Sequence, residues 1–212
     1  MGFVAVGSLV GVVLIELGMA LSPGPNMVHL ASRSISQGRR AGLVSLAGVA
    51  LGFVAYLVAA AAGLSALFAA VPEAFHVVKF LGAAYLAWLA WQILRPGGAS
   101  PFEPRELVPH SSARLFGTGL LTNLLNPKIA LLYAALIPQF VDPALGPAWW
   151  QFLQLGIAQI AVGVTVNGLV VIVAAALAGY LARHPRVLRA QRLASGTLLG
   201  VFAAKMAVSR PG

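Results

Sequence analysis

Ser22-Pro23-Gly24-Pro25-Asn26 breaks an apolar run that begins at residue 3 and continues to Ser34. A second run, over residues 115–141, is broken by Asn123-Leu124-Leu125-Asn126-Pro127-Lys128. Proline lacks a backbone N–H and its ring does not fit a regular helix interior. Each stretch therefore frees carbonyls inside a segment otherwise apolar enough to lie in a membrane, where irregular backbone is tolerated only if it is buried in protein or lines a polar cavity. Pro25 and Pro127 are 102 residues apart, and the same offset sets Gln37 on Gln139 and Arg40 on Asp142. A lone Pro–Gly break is an ordinary kink. Two at matching places are the pattern of a transporter site built from discontinuous helices.

Outward from the breaks, six runs are long enough for a helical span of about 20 apolar residues: 3–31, 43–71, 76–94, 115–141, 149–180 and 193–208. The last is the shortest. Residues 95–114 interrupt the pattern with Pro96, Pro101, Pro104 and Pro109, two glycines and two of the five acidic side chains, Glu103 and Glu106. The expected architecture is an all-α membrane protein of six transmembrane helices, with helices 1 and 4 broken. Residues 1–94 form one three-helix repeat, 95–114 a cytoplasmic linker and 115–212 a second repeat. Three spans per half make the halves inverted.

The composition agrees. Of 212 residues 59% are hydrophobic and only 9% charged, yet the formal net charge is +9. A soluble domain is about a quarter charged. Ten of the fourteen Lys and Arg fall in the loops after spans one, three and five, which the positive-inside rule assigns to the cytoplasm, leaving both termini periplasmic. Basic residues spread over short loops at one face are no nucleic-acid surface. Cysteine is absent, so there is no disulfide framework or thiolate chemistry. The first span has no basic n-region and reads as a retained helix, not a removable signal peptide.

Pro23, Gly24, Pro25, Asn26, Asn123, Asn126, Pro127 and Lys128 are the candidate substrate-binding residues. A helix resuming at Pro25 or Asn26 offers free N–H groups to a carboxylate, and the asparagines offer uncharged donors and acceptors to an ammonium or amide. Glu16, about 20 Å along the first span at 1.5 Å per residue, is the candidate proton carrier or ammonium partner; a structural pair with Lys128 is the competing role. Lys128 could hold a carboxylate or balance Glu16. His29 reads as a packed core histidine, and Gln154, Gln159 and Asn167 as interhelical hydrogen-bonding residues. Gly48–Gly52 and Gly196–Gly200 have GxxxG spacing, which marks close packing more often than a specified dimer, so a homo-oligomer stays open. Nothing calls for a cofactor or a metal.

These stretches also carry a resemblance. Ser22 to Asn26, Ser36-Gln37-Gly38-Arg39-Arg40-Ala41-Gly42, Leu81-Gly82-Ala83-Ala84-Tyr85-Leu86, Leu121 to Lys128 and Ile137-Pro138-Gln139-Phe140-Val141 together resemble the LysE/RhtB family of bacterial amino-acid exporters over essentially the whole chain. The resemblance implies a small-molecule substrate, export of amino acids or close derivatives across the inner membrane, and coupling to the proton motive force. It carries the family motifs onto Pro23 to Asn26 and Asn126 to Lys128. Glu16 lies outside the family pattern, so its role rests on its depth. An exporter of another solute or ion on the same fold is the alternative, disfavoured because the spans hold no acidic or histidine cluster suited to a cation. An intramembrane enzyme lacks any H-E-x-x-H, G-x-S-x-G or paired aspartates.

Overall fold

A computed structural model describes residues 3–22, 24–64, 77, 80, 81, 83, 84, 87, 88, 90, 91, 94, 95 and 108–208. Pro23, Lys79 with much of the expected third span, and most of the expected linker lie outside the described residues.

Every regular element among the described residues is helical. Helix α1 (Val6–Leu21) is followed by α2 (Pro25–Gln37) and α3 (Arg39–Ala59), and α3 runs on through a wider π turn, Ala60–Leu64. Helix α4 (Ser112–Leu124) precedes α5 (Pro127–Leu131), which continues as a π turn, Leu132–Leu136, and a 3-10 turn, Ile137–Phe140. After a short 3-10 turn, Pro143–Leu145, come α6 (Ala148–Arg183) and α7 (Pro185–Val208).

The two breaks fall where the prolines put them. Pro25 and Pro127 each stand in the first turn of the resuming helix, where a missing N–H costs nothing. The axes of α1 and α2 differ by 51°, and those of α4 and Pro127–Phe140 by 46°. Helices α3 and α6 are each long and apolar enough to cross a membrane, and the two bent pairs bring the number to four if each is one span. The expected sixth span lies within α7, whose first turns carry Arg186 and Arg189. Between α2 and α3 the chain turns at Gly38, whose φ of 86° a side chain would strain.

Apolar side chains cover the outside as well as filling the core, and a set of polar ones is buried among them. Val10, Leu14, Leu17 and Leu21 form an exposed stripe down α1 at helical spacing, while Glu16 on the same helix is buried. Asn26, Asn123, Asn126, Lys128, Gln159 and Asn167 are buried as well. Ionisable side chains of membrane helices face the bundle interior in this way.

Among the described residues, the closest helix approach at a glycine is α3 on α4. A Cβ on Gly48 would lie 2.0 Å from the Phe116 carbonyl oxygen, and one on Gly119 would lie 2.1 Å from that of Ser45. Gly52, one turn along, leaves room for Asn123. Without a hydrophobic drive between helices in lipid, small residues that let backbones approach supply the packing. The first GxxxG pair thus serves an intramolecular contact. In the second, Gly196 packs against Leu94.

Candidate functional site

The site is best built from hydrogen bonds the prolines remove. In a regular helix the Met19 carbonyl would accept from residue 23, but that residue is proline and has no N–H to give. The carbonyls at the end of α1 therefore need other donors. Lys128 supplies them. Its Nζ donates to the Met19 carbonyl, to the Ser22 carbonyl at 3.0 Å and to Ser22 Oγ at 2.7 Å, while Ser22 Oγ itself donates to Met19 O at 2.9 Å. All three ammonium protons are used. Gly24 packs directly against this side chain: a Cβ there would lie 3.3 Å from Nζ and 3.5 Å from Cδ of Lys128.

The second break is satisfied differently. Pro127 cannot donate to the Asn123 carbonyl, which accepts from the Asn126 N–H at 3.0 Å. Asn126 caps α5, its Oδ1 accepting from the Lys128 N–H at 3.1 Å. That diverts Lys128 from the Leu124 carbonyl, and Tyr56 Oη donates there instead, at 2.7 Å. The Asn126 cap thus aims the backbone from which the Lys128 side chain crosses to α1. Asn126→Ala should cost about 1 kcal/mol and lower the Tm by roughly 2–4 °C. Asn126→Ser, which keeps an oxygen acceptor, should recover most of that loss in a thermal melt.

Between the breaks lies a cavity of about 20 Å³ lined by Glu16, Gly24, Asn26, Asn126, Lys128 and Asn167, among others. That is room for about one water. Glu16 is 1% exposed. A Cβ on Gly163 would fall 2.6 Å from its Oε1, and its Oε2 makes no hydrogen bond. Lys128 makes its hydrogen bonds to the end of α1, not to Glu16. Gln159 Oε1 accepts from Tyr133 Oη at 2.6 Å, and Gln159 Nε2 reaches the same Gly163 position as the Glu16 carboxyl. Tyr133 stacks on Tyr56, with ring centroids 5.6 Å apart.

The structure thus brings Glu16, Gly24, Asn26, Asn126 and Lys128 to one place. Pro25 and Pro127 are exposed and act through the backbone. Asn123 is not at the cavity; it packs against Gly52, and its amide nitrogen and oxygen are buried without partners. Asn167 differs from expectation, since its Nδ2 bonds back to Gly163 O at 2.7 Å within α6. Gln154 Oε1 does reach another segment, accepting from the Val4 N–H at 3.2 Å. His29 is half-buried, with Nε2 unbonded. Sequence reasoning missed the Met19 and Ser22 carbonyls, although Pro23, four residues after Met19, was the available signal. Tyr56 and Tyr133 carried none.

A clamp closes the end of the molecule away from the Asp142 loop. The Gln37 amide pairs with both backbone groups of His110, Nε2 donating to its carbonyl at 2.8 Å and Oε1 accepting from its N–H at 2.9 Å. Arg33 donates to the Val108 carbonyl at 3.0 Å and lies 3.3 Å from His110 Nε2. Arginine has only donors, so Nε2 accepts and the ring is neutral. Partial burial, with Arg33 and Arg114 nearby, holds the His110 imidazole below its ordinary value of 6.5. The unfolded chain therefore takes up the proton first as pH falls. The clamp's stability is complete above about 6.5 and declines below it towards the lowered folded value. Hydrogen exchange at the His110 amide should accelerate, relative to its intrinsic rate, as pH falls through that range, and His110→Gln should remove the dependence. At the other end Gln151 pairs in the same two-way manner with the backbone of Asp142, at 2.9 and 2.7 Å.

Residues 17–210 match the family model described as LysE type translocator. The chain belongs to the LysE type translocator family. It is 34% identical over 192 residues to a homoserine/homoserine lactone efflux protein of Salmonella typhimurium, covering 91% of this chain and 92% of that one. It is 37% identical to an uncharacterized membrane protein of Vibrio cholerae over 79% of this chain and 78% of that one. A leucine efflux protein of Enterobacter is 27% identical over 89% of this chain and 90% of its own. No solved structure matches the chain. The translocator is thus a membrane transporter of small molecules and not an enzyme, and both breaks lie within the matched region.

Proposed function

We propose that this translocator exports amino acids or close derivatives from the cytoplasm across the bacterial inner membrane, driven by the proton motive force. The two halves, residues 1–94 and 115–212, act as inverted three-helix repeats that alternate access to the cavity between the breaks, with the linker cytoplasmic and both termini periplasmic. Glu16 carries the proton, and Gly24, Asn26, Asn126 and Lys128 surround the substrate. The observation that carries this reading is that Lys128 from the second break is seated on the carbonyls opened by the first. A cavity made by both halves changes shape when either half moves.

The relatives narrow the substrate class. Homoserine, its lactone and leucine share a primary α-ammonium group. The lactone has no free carboxylate, so the ammonium is the handle common to all three. Efflux of a radiolabelled amino-acid panel from proteoliposomes, with and without a pH gradient, tests the reading. Homoserine, its lactone or leucine should leave faster than from protein-free liposomes and faster still with the gradient. No acceleration for any amino acid or derivative would overturn it.

A further inference from the structure

We infer that the oxygen cage around Lys128 Nζ is a binding site for a primary ammonium group, which the substrate's α-ammonium enters in exchange for Lys128. The inference rests on the substrate class proposed above. Met19 O, Ser22 O and Ser22 Oγ converge on one nitrogen, and three acceptors match the three protons of a primary ammonium. Two of them are carbonyls at a helix C-terminus, the negative end of its dipole. In transporters, unwound backbone and half-helix C-termini are where small cations are held. Ser22 is buried and so is Lys128, so the cage is dry apart from the adjoining one-water space.

That space decides the order of events. A cavity of about 20 Å³ admits no amino acid, so a substrate enters only if a side chain yields. Among the described residues lining it, Lys128 is the only Lys or Arg. Withdrawing it without replacement would leave Ser22 O and Ser22 Oγ without the donor they have now and Met19 O with only the Ser22 hydroxyl, which is costly. Exchange of one ammonium for another keeps the acceptors bonded and the charge of the cage constant. The displaced Lys128 remains beside Glu16 on the same cavity wall. In the empty carrier Lys128 refills the cage, so the halves can return without carrying a solute or an inorganic cation in its place. Lys128 is in this sense a tethered competitor of the substrate.

The test reads binding and needs no transport. Purified Lys128→Ala is melted in methylammonium, tetramethylammonium or sodium chloride at equal ionic strength. Methylammonium, at about ten times its dissociation constant, should raise the Tm by roughly 3–6 °C. Tetramethylammonium, which has no N–H, and sodium should not, and wild-type protein with its cage filled should not respond. Lys128→Met is the second variant: it retains a side chain one atom shorter and vacates the Nζ position, for which ammonium chloride is the probe. If either variant is lost from membranes, growth and extraction with the amine should restore it and tetramethylammonium should not. Equal shifts in all salts, a sodium-specific shift, an equal response of the wild type, or no effect or recovery with either amine would overturn the cage. Because efflux of amino acids can be intact while methylammonium fails to bind, this failure is distinct from failure of the export reading.

Discussion

Gly48→Ala and Gly119→Ala should each lower the melting temperature by roughly 6–12 °C. The added methyl groups would lie 2.0 and 2.1 Å from carbonyl oxygens of the facing helix, and backbone cannot rotate away as a side chain can. Overpacking typically costs 1–3 kcal/mol. Two helix backbones forced apart along α3 and α4 place these substitutions at about the top of that range, a large share of a total near 5–15 kcal/mol. Gly117 supplies the control on the same helix. Nothing lies within 4 Å of a Cβ there, so Gly117→Ala should be neutral or gain up to roughly 1 kcal/mol from reduced backbone freedom. Thermal melts of the purified variants check this. A Gly48→Ala protein as stable as Gly117→Ala would contradict the crossing.

Glu16→Gln should uncouple transport from the gradient. The amide keeps the shape of the side chain and can still hydrogen-bond, but it cannot carry a proton across the cycle. Efflux with an imposed pH gradient should fall to the rate without one, while exchange down a substrate gradient persists. Were Glu16 only a structural counter-ion to Lys128, the variant would lose membrane abundance and the surviving protein would remain gradient-dependent. Gly163→Val attacks the same carboxyl from the other side, since its Cβ would stand 2.6 Å from Oε1. It should impair the same step with Glu16 unchanged.

The breaks were legible because proline chemistry is local. Pro25 and Pro127 announce a missing donor and a helix restart whatever surrounds them, and Glu16 and Lys128 stand out because charge in an apolar run is costly. The Gly48–Gly52 spacing was likewise readable as close packing, though not its partner. What the sequence withheld was where freed carbonyls find new donors, since that depends on which helix comes to lie alongside. Depth and charge alone pair Lys128 with Glu16 or a substrate carboxylate, and the structure seats it on Met19 and Ser22. Asn123 belongs to the same motif as Asn126, yet faces Gly52 on α3, because residues three apart do not share the cavity when the helix ends between them. The π turns at Ala60–Leu64 and Leu132–Leu136 have no sequence signal of their own.

If the breaks enclose the substrate, a thiol beside them is shielded when substrate is bound. The chain has no cysteine, so Ala20→Cys places a single thiol on the cavity wall, and Gly7→Cys places one where nothing is near. The rate at which a small thiol reagent labels each is measured with and without the exported amino acid. Severalfold protection of the thiol is expected at position 20 and none at position 7. Equal labelling at position 20 with and without a substrate that the protein demonstrably exports would contradict it.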